Sequence, residues 1–197
     1  MFRSIPQHDT PQEATRRLEN IARLGTVAAV RHAAPARCRV KLGGNTTGWL
    51  PWLAGRAGGQ QGCTWWPPAV GEQCLVISPG GDLGQGLVLL GVYSDAMDAP
   101  ADEPGVDRIQ WSANNWAEYR EGRRTIHLDR AIRLEVGDGC SIAMEPDSIT
   151  LSAGGATVHI GGGKVTSNVD VIADGISLML HKHGKVRSGA DLSGAPQ

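Results

Sequence analysis

The segment SIAMEPDSITLSAGGATVHI, residues 141–160, decides the fold of the chain's second half. Ile142 and Met144, Ile149 and Leu151, and Val158 and Ile160 each share parity, and Pro-Asp and Gly-Gly stand between them. Apolar alternation broken at short intervals by turn residues is the pattern of β-strands joined by tight turns. Similar pieces recur on both sides every eight or nine residues: TIHL (125–128), IRLEV (132–136), GKVTS (163–167), VDVIA (169–173) and ISLML (176–180). A single sheet of such short strands cannot bury its apolar strip and leaves both edges unpaired. Three copies wound around a common axis would cover both, so the spacing predicts a slender homotrimeric β-prism.

Working outward, the preceding region reads as a separate small barrel. GTVAAVRHA (25–33), ARCRVKL (36–42), TTGWLPWL (46–53), EQCLVIS (72–78) and QGLVLLGVY (85–93) are five strand candidates separated by Gly-rich segments. Five short antiparallel strands of this spacing predict an OB-type barrel. Ahead of it, TPQEATRRLENIARL (10–24) predicts one short helix with Thr10 as cap, Pro11 in the first turn and Glu13 at capping-box distance. The expected organisation is therefore all-β apart from that helix. It comprises an N-terminal helical segment (1–24), an OB domain (25–95), a Pro/Asp-rich linker (96–107), a triple-stranded β-helix (108–180), and an apex and tail (181–197).

Composition agrees with many short elements rather than one aromatic-rich core: the 197 residues include 27 Gly but only one Phe and two Tyr. Net charge is −1, yet residues 1–60 hold nine Lys/Arg against three Asp/Glu and residues 61–122 hold two against nine. Such asymmetry suits either nucleic acid or an acidic protein surface. Cys38, Cys63, Cys74 and Cys140 are widely spaced and suggest buried thiols in a reducing cytosol, not a disulfide framework or zinc knuckle. The N-terminus lacks the apolar core of a signal peptide, and no run of about 18 apolar residues suggests a transmembrane helix.

Near the C-terminus, LMLHKHGKVRSG (178–189) carries His181 and His183 around one lysine. An i, i+2 pair shares one side of an extended strand, but two ligands make a poor metal site. In a threefold assembly the pair becomes six imidazoles on the axis, an octahedral nitrogen set that disfavours zinc and suits iron, nickel or cobalt. The histidines have the opposite parity to Ile176, Leu178 and Leu180, so inward-facing histidines require a bulge or kink between Leu178 and His181.

These residues resemble the phage baseplate assembly protein V family, the central spike of contractile tails. GTVAAV, ARCRVKLGGNTTGWLPWL, WWPPAVGEQCLVISPGGDLGQGLVLLGVYSD and DVIADGISLMLHKHGKVRSGADLSGAPQ look like that family's motifs in their expected order. The resemblance implies an OB domain, an intertwined triple-stranded β-helix and a pointed apex where His181 and His183 of three chains hold one iron ion. Calcium or chloride ions inside the spike are also implied, without assignable ligands. The implied role is mechanical. Seated in the virion tail baseplate after assembly in the host cytoplasm, the spike meets hub and tail-tube proteins and is driven through the host outer membrane on sheath contraction.

Other classes find less support. No Gly-x-Ser-x-Gly, Walker loop, His-Glu-x-x-His or dinucleotide fingerprint is present, and GGGK (161–164) lacks the spacing of a phosphate loop, so no enzyme is expected. A hydrolase using His181 and His183 would need an open coordination position that six imidazoles do not leave. The alternative of a different class is an OB-fold single-stranded nucleic-acid binder with a trimerising tail, with Trp49, Trp52, Trp65 and Trp66 as the stacking platform. Packing of the barrel, or anchoring against a neighbouring protein, is the preferred role for these tryptophans. Trp111 and Trp116 are expected where the chain enters the prism, and His127 and His159 are expected to be structural.

Overall fold

The structure, a computed structural model, describes residues 10–182 and residue 189. The chain divides into two compact units, Met1–Asp102 and Glu103–Gln197.

In the first unit, helix α1 covers Pro11–Asn20; Thr10 Oγ1 accepts the Glu13 amide at 3.2 Å, and Pro11 occupies the first turn. The Glu13 carboxylate is taken by Arg16 and Arg17, whose hydrogen bonds pull its pKa down to about 2. The helix is shorter than the sequence suggests. Ile21 already delivers its carbonyl to the Ser78 amide at 2.8 Å, and a strand follows at once, so residues 22–24 are extended rather than helical.

Strands β1 (Ala22–Arg31), β2 (Arg37–Leu42), β3 (Asn45–Thr46), β4 (Gln73–Ile77) and β5 (Leu87–Val92) form a sheet in the order β3-β2-β1-β4-β5. The stretch expected as one strand over 46–53 is broken instead, because Gly48 offers no side chain and Pro51 no amide. Its pieces close the barrel. Leu50 exchanges both backbone hydrogen bonds with Cys38 at 2.8 and 2.9 Å, while the Leu53 amide donates to the Val88 carbonyl at 2.8 Å. The alternation of β2 sends Cys38, Val40 and Leu42 inward, where they meet Val27, Leu50, Cys74, Val76 and Val88 in one buried core. Burial pushes the thiols of Cys38 and Cys74 up to about 11, so both are inert packing groups. Cys63 and Cys140, also expected inside, are exposed; Cys63 sits in a turn-rich loop, and Cys140 on an uncovered sheet.

The second unit is entirely β among the described residues. Strands β6 (Val106–Ser112), β7 (Asn115–Arg120) and β8 (Arg123–His127) make one antiparallel sheet. Strands β9 (Ile132–Val136), β10 (Cys140–Glu145), β11 (Ser148–Ala153), β12 (Ala156–Gly161) and β13 (Lys164–Ser167) form a five-stranded antiparallel meander in chain order. A minimal hairpin of β14 (Ile172–Ala173) and β15 (Ile176–Ser177) follows. The strands expected over 169–173 and 176–180 shrink to these two-residue pieces because a turn occupies residues 178–180. Strands β6 and β7 have no counterpart in the periodicity: their alternation is interrupted by a register shift between Gln110 and Ser112.

Gly81 fixes how α1 docks. It adopts φ +73°, and a Cβ there would collide with the backbone of Arg17. Gly81→Ala is expected to destabilise the first unit by roughly 1–3 kcal/mol and to raise amide exchange across α1. Thermal melting and hydrogen exchange check this; unchanged protection of Arg17 and Leu18 would contradict it.

Candidate functional site

The register of the meander sorts its side chains by face. Leu134, Ile142, Leu151 and Val158 lie directly opposite one another across four strands, and Ile132, Met144, Ile149, Ile160 and Val165 form the neighbouring row across five. A third row holds Val136, Cys140, Ala153 and Ala156. The other face is polar, with Arg133, Ala143, Thr150, His159 and Thr166 in one row. Each strand contributes its even or odd positions as a set, so one face is a continuous aliphatic strip.

That strip is uncovered. Val136 is 76% exposed, Val165 66% and Leu134 60%, and Ala117, elsewhere in the unit, is the sole buried side chain among the described residues from Glu103 onward. Backbone pairing joins all five strands, with β9 and β13 at the edges, while the apolar side chains remain wet. A monomeric soluble domain rarely leaves so large a contiguous apolar face open.

At the C-terminal end a compact turn carries His181. The Ser177 carbonyl accepts the His181 amide at 3.1 Å and faces His181 Nδ1 at 2.9 Å. A carbonyl only accepts, so a hydrogen bond here requires the proton on Nδ1, and in a neutral ring the lone pair then belongs to Nε2. This is the tautomer a metal-binding imidazole uses, with a carbonyl holding its second nitrogen. The turn is braced further: the Leu180 amide donates to Ser177 Oγ at 2.7 Å, the Leu178 amide to the Val171 carbonyl at 2.9 Å, and the Met179 amide to Asp170 Oδ1 at 3.1 Å. Asp170 and Ser177 are the supporting residues that sequence reading passed over; an aspartate and a serine flanking a Gly-containing hairpin were the available signal. His183 lies outside the described residues. Among the described residues, no group of three or more His, Cys, Asp or Glu side chains could hold a metal within one chain.

Several other described histidines and tryptophans pack against neighbours. His127 stacks on Trp116 at 5.4 Å between ring centroids, and the Arg108 guanidinium lies 4.6 Å from the same indole. His159 Nδ1 is 3.0 Å from Thr150 Oγ1 across the polar sheet face. In the barrel, Trp52 packs against the core and lies 6.0 Å from Trp65, which also meets His32 edge-on. Trp49 has Arg31 and Arg39 guanidiniums 5.1 and 5.5 Å from its ring. Trp65 and Trp66 are both exposed.

The described residues thus comprise an OB-type β-barrel unit and a second, antiparallel β unit whose meander leaves one aliphatic face open. Residues 23–93 match the family described as the type VI secretion system/phage-baseplate injector OB domain. The "Spike protein" of Escherichia phage P2 is 34% identical over 163 residues, 82% of this chain and 64% of that protein. The chain is a relative of the phage baseplate spike proteins, and both matches support that family. No described helix is long and apolar enough to cross a membrane.

Asp170 gives the turn a pH signature. The Ser177 hydroxyl and then the Met179 amide hold its carboxyl below the ordinary value of 3.8. A depressed folded pKa contributes stability that is present above the unfolded value and lost as pH falls through the folded one. Amide protection at Met179 is therefore expected to disappear on acidification below pH 3.8. In Asp170→Asn, which keeps an acceptor oxygen but does not titrate, the pH dependence should vanish; a wild-type-like profile in that variant would contradict the assignment.

Proposed function

We propose that the chain is one of three identical chains of a non-enzymatic spike at the tip of a contractile phage or phage-like tail. In this reading the spike assembles in the host cytoplasm, joins baseplate hub and tail-tube proteins, and is driven through the host outer membrane when the sheath contracts. The observation that carries the proposal is the uncovered aliphatic face of β9–β13. Three such faces turned towards a common axis bury one another and form a triple-stranded β-helix, a hydrophobic interior that one chain does not provide. The kinship with the phage P2 spike protein and with injector OB domains supports the tail assignment.

Mechanical function follows from that arrangement. Backbone ladders resist bending, and apolar rows locked between chains resist sliding, so a contraction stroke applied at the barrel end is transmitted to the point. The weak place is the point itself, where two-residue strands β14 and β15 give way to the turn carrying His181. Iron fits the donor set: His181 would bind through Nε2, held by the Ser177 carbonyl, and His183 would supply the second imidazole of each chain. Six neutral imidazoles leave no coordination position for substrate, so the metal would act as a structural cross-link joining three chain ends.

Two variants of equal charge test the face assignment. Leu151→Asp, in the apolar row, is expected to cost roughly 2–5 kcal/mol per chain from lost packing and to abolish the trimer. Thr150→Asp, one residue away on the polar face, should leave the mass in solution unchanged. Trimers from both variants, or from neither, would contradict the reading. For the apex, elemental analysis should find one iron per three chains. His181→Ala with His183→Ala should lose the iron but keep the trimeric mass; a monomeric double variant would mean that the metal, not the strip, holds the chains together.

A further inference from the structure

The first unit carries two charged patches that do not meet within the chain. On β1 and β2 the core-facing residues are Val27, Val30, Cys38 and Val40, so the opposite parity turns Arg31, Arg37, Arg39 and Lys41 outward. Arg31 and Arg39 flank the Trp49 ring, which holds both guanidiniums near one spot of the surface. Among the described residues none of these four cations is within ion-pair distance of a carboxylate. Among the described residues, Arg31 Nε is buried and has no hydrogen-bond partner.

The complementary patch follows β5. Residues 94–97 form a tight turn, with Ser94 and Met97 exchanging backbone hydrogen bonds at 3.0 and 3.1 Å, and it presents Asp95, Asp98 and the nearby Asp102 to solvent. No Lys or Arg among the described residues pairs with these three carboxylates. Tyr93 is also exposed there, 66% accessible, and offers an aromatic face for a guanidinium.

We infer that the Arg31–Arg39–Trp49 face of one copy receives the Asp95–Asp102 segment of the next copy, making a charged ring contact between OB domains. The inference rests on the trimer proposed above and adds where its barrel ends touch. A cyclic trimer uses a heterologous interface, in which each copy presents one patch to one neighbour and a different patch to the other. Two unpaired patches of opposite sign on one domain are what that symmetry requires. Carboxylates also match the donor set, because guanidiniums bind them through paired N–H groups. Base stacking by nucleic acid is less well served, since Arg31 and Arg39 already lie against the Trp49 ring.

Lys41 allows a direct test, because it is the single lysine before Lys164. The full chain is treated with a water-soluble carbodiimide, which joins amines to carboxylates in contact, and denatured products are separated by size and mapped by mass spectrometry. Links from Lys41 to Asp95, Asp98 or Asp102 are expected in the dimer and trimer bands and not in the monomer band. Arg39→Glu should lower the melting temperature of the assembly, and Asp98→Arg in the same chain should restore it. A trimeric mass without such links, or Lys41 links confined to the monomer band, overturns this inference and leaves the trimer standing. A monomeric mass removes both. Quenching of tryptophan fluorescence by oligothymidylate that Arg31→Glu abolishes would assign the face to nucleic acid and overturn the inference as well.

Discussion

Alternate side chains of β9–β13 project to one face, and antiparallel pairing aligns them into aliphatic rows with no layer beneath. Two requirements that usually come together are separated here. Neighbouring strands pair their backbones inside one chain, leaving only the outer edges of β9 and β13, whereas apolar burial is left to whatever covers the face. Since burial is the main favourable term in folding, the proposed trimer would supply the second unit with most of its stability. The barrel differs in that respect, for its eight buried core residues come from its own strands and from the closing segment at Leu50.

In the proposed spike the two units take different tasks. A self-contained barrel can keep its shape while its surface is used for contacts with neighbours, and its charges are distributed accordingly. A strip to be covered by copies of itself has to be continuous, and the meander is built that way, with strands of four to six residues and turns on positive-φ glycines such as Gly154 and Gly155. The terminal hairpin is too small to hold itself. Its order comes from side-chain bonds by Asp170 and Ser177, while the Ser177 backbone carbonyl faces His181 Nδ1.

Much of this was legible in the sequence where burial imposes a period. The alternation Cys38, Val40, Leu42 against Arg37, Arg39, Lys41 marks β2 within a residue, and the aliphatic pairs mark β9–β12 to similar accuracy. Periodicity failed where other forces set the structure. The helix stops at Asn20 because a distant partner, Ser78, claims the Ile21 carbonyl. Strands β6 and β7 escaped notice because Arg108, Trp116 and Glu118 satisfy one another through ion pairing and ring contact rather than by burying one face. At the apex, the pairing of histidines was visible but the tautomer was not, since it depends on a carbonyl four residues earlier that the turn brings back. The cations at Arg37, Arg39 and Lys41 were visible as a strand face; the placement of Arg31 and Arg39 against the Trp49 ring required the barrel to close.

The central claim is that the aliphatic strip is covered by two further copies of the same chain. Its most direct test is the mass of the purified, unaltered protein by light scattering across a wide concentration range. The account predicts three times the 20.8-kDa chain mass, independent of concentration over that range. A stable species at 20.8 kDa would contradict it, because a folded monomer would leave the strip in water.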